Sequence, residues 1–141
     1  LILVYAGSHR DSTKFINEIS NKKKYDNVKI FDEIKNIGIK SHPFLSNGNI
    51  SKLGKLMDDH WKFKKKLSDS VSNNQINKTY GKLKKFGSTG GKIIGAGGGG
   101  FFLMAVPKNN LINFKLNLKK NNLNILDWNF DETGSQIIEM N

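Results

Sequence analysis

Gly90-Gly-Lys-Ile-Ile-Gly-Ala-Gly-Gly-Gly-Gly-Phe-Phe-Leu-Met-Ala-Val106 is the stretch on which the fold turns. Four consecutive glycines, Gly97 to Gly100, are costly to order, because glycine gives up more backbone freedom on folding than any other residue. A folded chain tolerates them where the backbone must reach positive φ, or where another molecule must approach the main chain without a Cβ in the way. The flanks Lys92–Ile94 and Phe101–Val106 are apolar and read as strands, so the glycines form a tight loop and not a linker. The connection is too short for a helical crossover, which predicts an antiparallel pair. Such a loop can aim several N–H groups into one concavity, which suits an anion and most often phosphate. It is neither a Walker loop nor a dinucleotide fingerprint, since no Gly-Lys-Ser/Thr follows and the next element is a strand.

Working outward, Leu1–Ala6 reads as a buried strand and Gly7–Ser12 as a turn into a helix capped by Asp11 or Ser12, with Phe15, Ile16 and Ile19 on its buried face. Val28, Phe31, Ile34 and Ile37 repeat at helical spacing, closed by Gly38, and Ser41–Asn49 reads as a loop. Helices are predicted over Ser51–Leu67, Asn74–Phe86 (stopped by Gly87) and Lys108–Lys120. Asn124–Phe130 alternates as a strand with Leu126, Trp128 and Phe130 on one face, and Ser135–Glu139 is a last strand. Four or five strands and about five helices predict an α+β fold, an antiparallel sheet with helices packed on it.

The 141 residues suit one domain. No apolar run approaches the ~20 residues that span a bilayer, so no membrane partner is expected. The opening Leu-Ile-Leu-Val-Tyr-Ala lacks a basic leader and is not read as a signal peptide. With no initiating Met and a strand at its first residue, the chain reads as cut from something longer. The absence of Cys excludes disulfides and thiolate chemistry and fits a cytoplasmic location. His9, His42 and His60 show no metal-ligand spacing, so no metal site is expected in this chain. The net charge of +11 invites a nucleic-acid reading, but Arg10 is the single arginine among 23 basic residues. Bidentate base contacts favour arginine, no aromatic platform interleaves the charges, and abundant Lys, Asn and Ile reflect AT-rich coding. No specific nucleic acid is expected; a general attraction for anionic substrates is.

Some positions break their own pattern. At about 100° per residue, Leu53, Leu56, Met57 and Leu67 define one helical face, and His60 and Lys64 fall in the middle of it. A Lys there either snorkels out or faces a cleft and meets an anion. His60 also reads as a satisfied boundary histidine, and Trp61 as core. Lys62, Lys65 and Lys66 point away and read as solvated, as do Asp58 and Asp59. Arg10, at a helix N-terminus, is either an anion clamp or a surface ion pair. Lys92 sits among apolar neighbours in the strand before the loop, where it could neutralise a phosphate.

The stretch Gly90–Leu103 resembles the third motif of the GHMP small-molecule kinases, among them galactokinase, homoserine kinase, mevalonate kinase and phosphomevalonate kinase. The opening Val-Tyr-Ala-Gly-Ser-His-Arg-Asp-Ser12, the segment His60-Trp-Lys-Phe-Lys-Lys-Lys-Leu-Ser68 with Val-Ser72 after it, and Gly-Ser-Gln-Ile-Ile138 resemble the C-terminal half of the D-glycero-D-manno-heptose 7-phosphate kinases and related sugar-1-kinases. Gln136 departs from the Arg expected of those relatives. The resemblance covers essentially all of 1–141 and implies a ferredoxin-like GHMP C-terminal domain.

It also implies the reaction. ATP with Mg²⁺ would donate its γ-phosphoryl to the anomeric hydroxyl of a sugar phosphate, by positioning and charge stabilisation. The loop Gly95, Ala96, Gly97, Gly98, Gly99 and Gly100 would help shape the phosphoryl-transfer site, and Arg10, His60, Lys64 and Lys92 would line the sugar-phosphate side. The family's nucleotide loop, its acidic Mg²⁺ ligands and the catalytic residues belong to an N-terminal kinase domain that these residues do not include. That domain is expected as a partner in the same or a second chain, a homodimer is compatible with the sequence, and the chain alone is expected to be inactive. The alternatives are a sugar-phosphate-binding or regulatory module without catalysis, and a kinase of fucose or mevalonate type.

Overall fold

In the computed structural model, which describes residues 1–7, 17–18, 24–135 and 137, four strands form one antiparallel sheet. The strands are β1 (Ile2–Tyr5), β2 (Gly90–Ile93), β3 (Phe101–Ala105) and β4 (Ile125–Leu126). The helices are α1 (Lys24–Ser46), α2 (Ile50–Leu67), α3 (Asn74–Lys85) and α4 (Leu111–Lys120), with 3₁₀ turns at Asp69–Val71 and Lys108–Asn110. The spatial order β2-β3-β1-β4 is that of a ferredoxin-like sheet in which α1, α2 and α3 lie in the first crossover and α4 in the second. Among the described residues no helix is long and apolar enough to cross a membrane.

Register sorts the sheet into two faces. Val4 pairs with Phe102, and Phe102 with Ile93; Met104 lies beside Ile2 and Gly91. This row enters the main core with Trp61, Ile76, Leu83, Phe114 and Leu118. One residue on, the pleat turns Gly90, Lys92, Leu103 and Ala105 to the opposite face. There α2 lies against the sheet, with Leu53 and Met57 packed on Ala105. The approach is close: a Cβ on Gly90 would stand 2.0 Å from the Gly54 carbonyl oxygen, and one on Gly54 2.1 Å from Thr89 Oγ1.

The predicted hairpin around the glycines forms, displaced slightly to Gly90–Ile93 and Phe101–Ala105. The largest difference lies in α1, which runs through Gly38 and through Pro43, where a stop and a loop were expected. The reason is its seam: Ile34, Ile37, Ser41 and Phe44 keep the three-four spacing that faces one side of a helix, and Phe44 packs against the Leu53–Met57 cluster. The true connection is a short turn with Gly48 at φ 69. It is followed by Asn49, whose side chain accepts from the Lys52 N–H at 3.1 Å to cap α2.

The strand expected over Asn124–Phe130 shrinks to two residues, because only Leu3 and Val4 of β1 pair with it. Leu126 and Phe130 stay exposed, and Phe130 meets Trp128 edge-on at 4.9 Å. Of the last predicted strand, Ser135 and Ile137 are described and neither is in a strand; the rest lies outside the described residues. The helix placed on Phe15, Ile16 and Ile19 also lies outside them, save Asn17 and Glu18, which are helical.

Candidate functional site

The glycine loop is fastened into the body of the domain at three points. The Ile94 N–H donates to the Phe101 carbonyl at 3.0 Å, the Gly98 N–H to the Val71 carbonyl at 2.7 Å, and the Ala6 N–H to the Gly100 carbonyl at 2.8 Å. Gly97, at φ 106, passes so close to the 3₁₀ turn that a Cβ there would meet Val71 O at 2.9 Å. Glycine is needed at this position both for its conformation and for the approach. One donor expected to face an anion, the Gly98 N–H, is thus engaged within the fold. The turn that holds it is in turn held by Glu18, whose carboxylate accepts from the Ser68 hydroxyl and from the Ser70 N–H. Sequence reasoning missed this tie, because fifty-odd residues separate Glu18 from the turn it caps.

Three of the four residues assigned to the substrate side come together next to that loop. Lys92 projects from the second face of β2, and its Nζ stands 3.3 Å from Nε2 of His60 on α2. One turn further along α2, Lys64 donates to the Gly95 carbonyl. Arg10 lies outside the described residues. His60, Lys64, Lys92 and Gly95 line a cavity of about 360 Å³, closed on another side by Phe31 and Ile34 of α1. The wall from α1 was not foreseen, although the spacing of Phe31 and Ile34 had identified the helix.

The electrostatics of the cluster are those of cations held together without a carboxylate paired to them among the described residues. Burial, and then the neighbouring Lys92, lower the Lys64 ammonium to about 8. Burial also lowers Lys92. Burial, then Lys92 and Lys64, lower the His60 imidazole to about 4, so it is neutral near pH 7. A charged Lys92 can only donate, which assigns Nε2 of His60 as acceptor and puts the ring proton on Nδ1. That Nδ1 is buried without a hydrogen-bond partner among the described residues. No salt bridge from a described carboxylate reaches Lys64 or Lys92. An anion placed between the two ammoniums would supply the missing charge.

Asp58, read from sequence as solvated, is instead built into the fold. Its carboxylate accepts from Tyr80 Oη at 2.6 Å and pairs with Lys62 at 2.9 Å and Lys84 at 3.2 Å. Burial pushes the Asp58 carboxyl up, but the hydrogen bonds from Tyr80, Lys62 and Lys84 outweigh it and hold the group below its ordinary value. Tyr80 Oη also accepts from the Gly91 N–H at 3.2 Å, so this network pins the strand that carries Lys92. Trp61 is core, as expected, fully buried against Tyr80. Lys62 is solvated as read, while Lys65 lies over the Trp61 ring and Lys66 over Phe63.

Comparison with known proteins agrees with this architecture. Residues 41–124, more than half of the chain, match the family described as GHMP kinases C terminal. The chain is 30% identical over 101 residues to D-glycero-alpha-D-manno-heptose 7-phosphate kinase of Campylobacter jejuni, an alignment covering 72% of this chain and 30% of that protein. Among solved structures, the L. major mevalonate kinase in complex with R-mevalonate superposes with a TM-score of 0.73 at 20% identity, over 84% of this chain and 37% of that one. The Methanococcus jannaschii mevalonate kinase does so with a TM-score of 0.71 at 27% identity, over 89% and 37%. The chain spans about a third of the length of these relatives. It belongs to the GHMP kinases, a phosphotransferase family, and forms their C-terminal domain.

Proposed function

We propose that this GHMP kinase C-terminal domain supplies the acceptor side of an ATP-dependent kinase that phosphorylates the anomeric hydroxyl of a sugar phosphate of the heptose 7-phosphate type. The observation that carries the reading is the pair Lys64 and Lys92, gathered with His60 beside Gly95 without a paired carboxylate among the described residues. In this reading the two ammoniums hold the acceptor's own phosphate. Neutral His60 orients Lys92 through Nε2, and the Gly95–Gly100 loop shapes the side on which phosphoryl transfer occurs. Arg10 would join the same side. The heptose subtype is supported by the 30% identity to the Campylobacter protein.

ATP would be the phosphoryl donor, and Mg²⁺ would bridge and neutralise its phosphates. The described residues offer no group of three His, Cys, Asp or Glu side chains placed to hold a metal ion. The ligands of Mg²⁺ and the catalytic groups are therefore assigned to an N-terminal domain, for which the greater length of the relatives leaves room. A second reading, an acceptor of mevalonate type, is favoured by the 27% identity to the M. jannaschii mevalonate kinase.

The test is turnover of ATP with D-glycero-D-manno-heptose 7-phosphate by this chain and by the full-length product of its gene. Activity is expected in the full-length protein alone. Activity there with mevalonate and none with the heptose would replace the first reading by the second. In the active protein, Lys64→Ala and Arg10→Ala are each expected to raise KM for the acceptor about tenfold or more, the loss of a charge-assisted contact. An unchanged KM would remove these residues from the acceptor site.

A further inference from the structure

The four glycines Gly97 to Gly100 have no side chains with which to hold their own shape. Gly97 and Gly98 take φ 106 and 75, so the backbone is free enough to need fixing from outside. At the middle of the run the fixed point is the 2.7 Å bond from the Gly98 N–H to the Val71 carbonyl. The N–H groups of Gly97 and Gly99, on either side of it, have no acceptor among the described residues. The place of the Val71 carbonyl therefore decides where those two donors point.

Val71 closes the 3₁₀ turn Asp69–Val71. Within the turn, the hydrogen bonds converge on one carboxylate oxygen. Glu18 Oε2 accepts from the Ser68 hydroxyl and from the Ser70 N–H, the latter at 3.2 Å. The Ser68 hydroxyl has one proton and gives it to Glu18, so Ser68 Oγ accepts in the 2.6 Å bond that joins it to Ser70 Oγ. It also accepts from the Ser70 N–H at 3.0 Å. Ser68 and Ser70 are buried, and an unpaired donor in the interior is costly. The charge on Glu18 strengthens both bonds that reach it. The stretch after β1 thus grips the glycine loop twice, at its end through the Ala6 N–H on the Gly100 carbonyl and at its middle through Glu18 and the turn.

Resting on the reading of the Gly95–Gly100 loop as the side of phosphoryl transfer, we propose that Glu18 is a positioning residue for that step. It acts through the turn and not by contact with either substrate. The carboxylate sets the turn, the turn sets the Val71 carbonyl, and that carbonyl sets the loop's donors. Lys64 and Lys92 are carried by α2 and β2, so the acceptor's own phosphate is held independently of this path. Loss of Glu18 then lowers turnover and spares acceptor binding, since donors displaced by a fraction of an ångström still leave the acceptor seated.

The experiment compares Glu18→Leu, Glu18→Gln and Ser68→Ala in the full-length protein. Two quantities are read: kcat and KM with ATP and the heptose 7-phosphate, and hydrogen exchange of the Gly98 amide in glycine-labelled protein by NMR. Glu18→Leu removes the acceptor and is expected to lower kcat about tenfold or more, with KM for the acceptor within about twofold of the parent. Exchange at Gly98 should quicken about tenfold. Glu18→Gln keeps an oxygen for the same two donors and should restore both quantities toward the parent. Ser68→Ala, a milder change, should move both in the direction of Glu18→Leu, and it decides the matter if the leucine variant does not fold. An unchanged kcat, a rise in KM at constant kcat, or a glutamine variant as impaired as the leucine one overturns the proposal. If the parent itself does not turn over the heptose phosphate, the acceptor reading fails on its own. The exchange measurement needs no acceptor and still decides: Gly98 exchange unmoved by Glu18→Leu and Ser68→Ala overturns the relay, and faster exchange upholds it.

Discussion

Asp58 and Lys64 stand on the same helix, and the protein treats their charges in opposite ways. Asp58 is neutralised from three directions by Tyr80, Lys62 and Lys84, and its side chain keeps 14% of its exposure. Lys64 is also withdrawn from water, yet it finds a backbone carbonyl and a second ammonium nearby, with no described carboxylate. The first arrangement is a strut: the charge is consumed within the fold, and the strand beside it is fixed. The second is a vacancy in charge, which a folded protein retains only at some cost to stability. On the proposed function, the difference separates a charge used for structure from a charge kept for a ligand. It also explains why neither could be judged from helical spacing alone.

Substitutions can break or sharpen this contrast. The largest effect is expected from Gly90→Ala, which forces a Cβ to within 2.0 Å of the Gly54 carbonyl and 2.9 Å of Asp58 Cβ. Helix α2 must then lift from the sheet and carry both groups with it, at a cost of about 3 kcal/mol or more in chemical denaturation, with loss of phosphate binding. Asp58→Ala should cost about 2 kcal/mol, because Tyr80 and Lys84 lose their acceptor. Its phosphate affinity, measured by calorimetry, should stay near that of the parent. A comparable loss of affinity would show that the strut and the site are one unit.

Lys64→Met is expected to do the reverse, weakening phosphate about tenfold while leaving stability unchanged or raised by up to about 0.5 kcal/mol. The pH dependence sharpens the same point. With the Lys64 ammonium at about 8 against an ordinary 10.5, the folded protein releases its proton before the unfolded chain does. The penalty is present in full below pH 8, and stability should rise as pH climbs from about 8 toward 10.5. His60 adds a second limb of the same sign in acid: lowered from 6.5 to about 4, it should make stability fall as pH drops through that window. Urea denaturation at a series of pH values checks both limbs, and Lys64→Met should flatten the alkaline one. The smallest change is expected from Lys62→Ala. Its side chain is 60% exposed, and its pairs with Asp58 and Asp59 should contribute under about 1 kcal/mol.

Much of this domain was legible in its residues. The Gly90–Val106 stretch announced an antiparallel hairpin with a tight glycine loop, and it forms; the close approach that was expected of another molecule is made at Gly97 by Val71 of the same chain. The three-four spacing of α2 placed His60 and Lys64 on the face of Leu53 and Met57, where they are found. The length of α1 was not legible, because Gly38 and Pro43 are local stop signals, whereas the Phe44 contact that overrides them is made with another helix. The strand at Asn124–Phe130 was over-read for a related reason: alternation describes a face, and only pairing with β1 decides how much of it becomes strand.

The sequence by itself determined the hairpin, the helical faces and the family, since each depends on neighbours within a few turns of chain and on an unusual run of glycine. Tertiary structure alone decided which charges find a partner within the fold. Lys92 meets His60, and Tyr80 meets Asp58, only because the Gly54–Gly90 contact lets α2 lie directly on the sheet. Whether a half-buried charge finds a partner depends on groups far away in sequence, and distances set by packing carry no local signature.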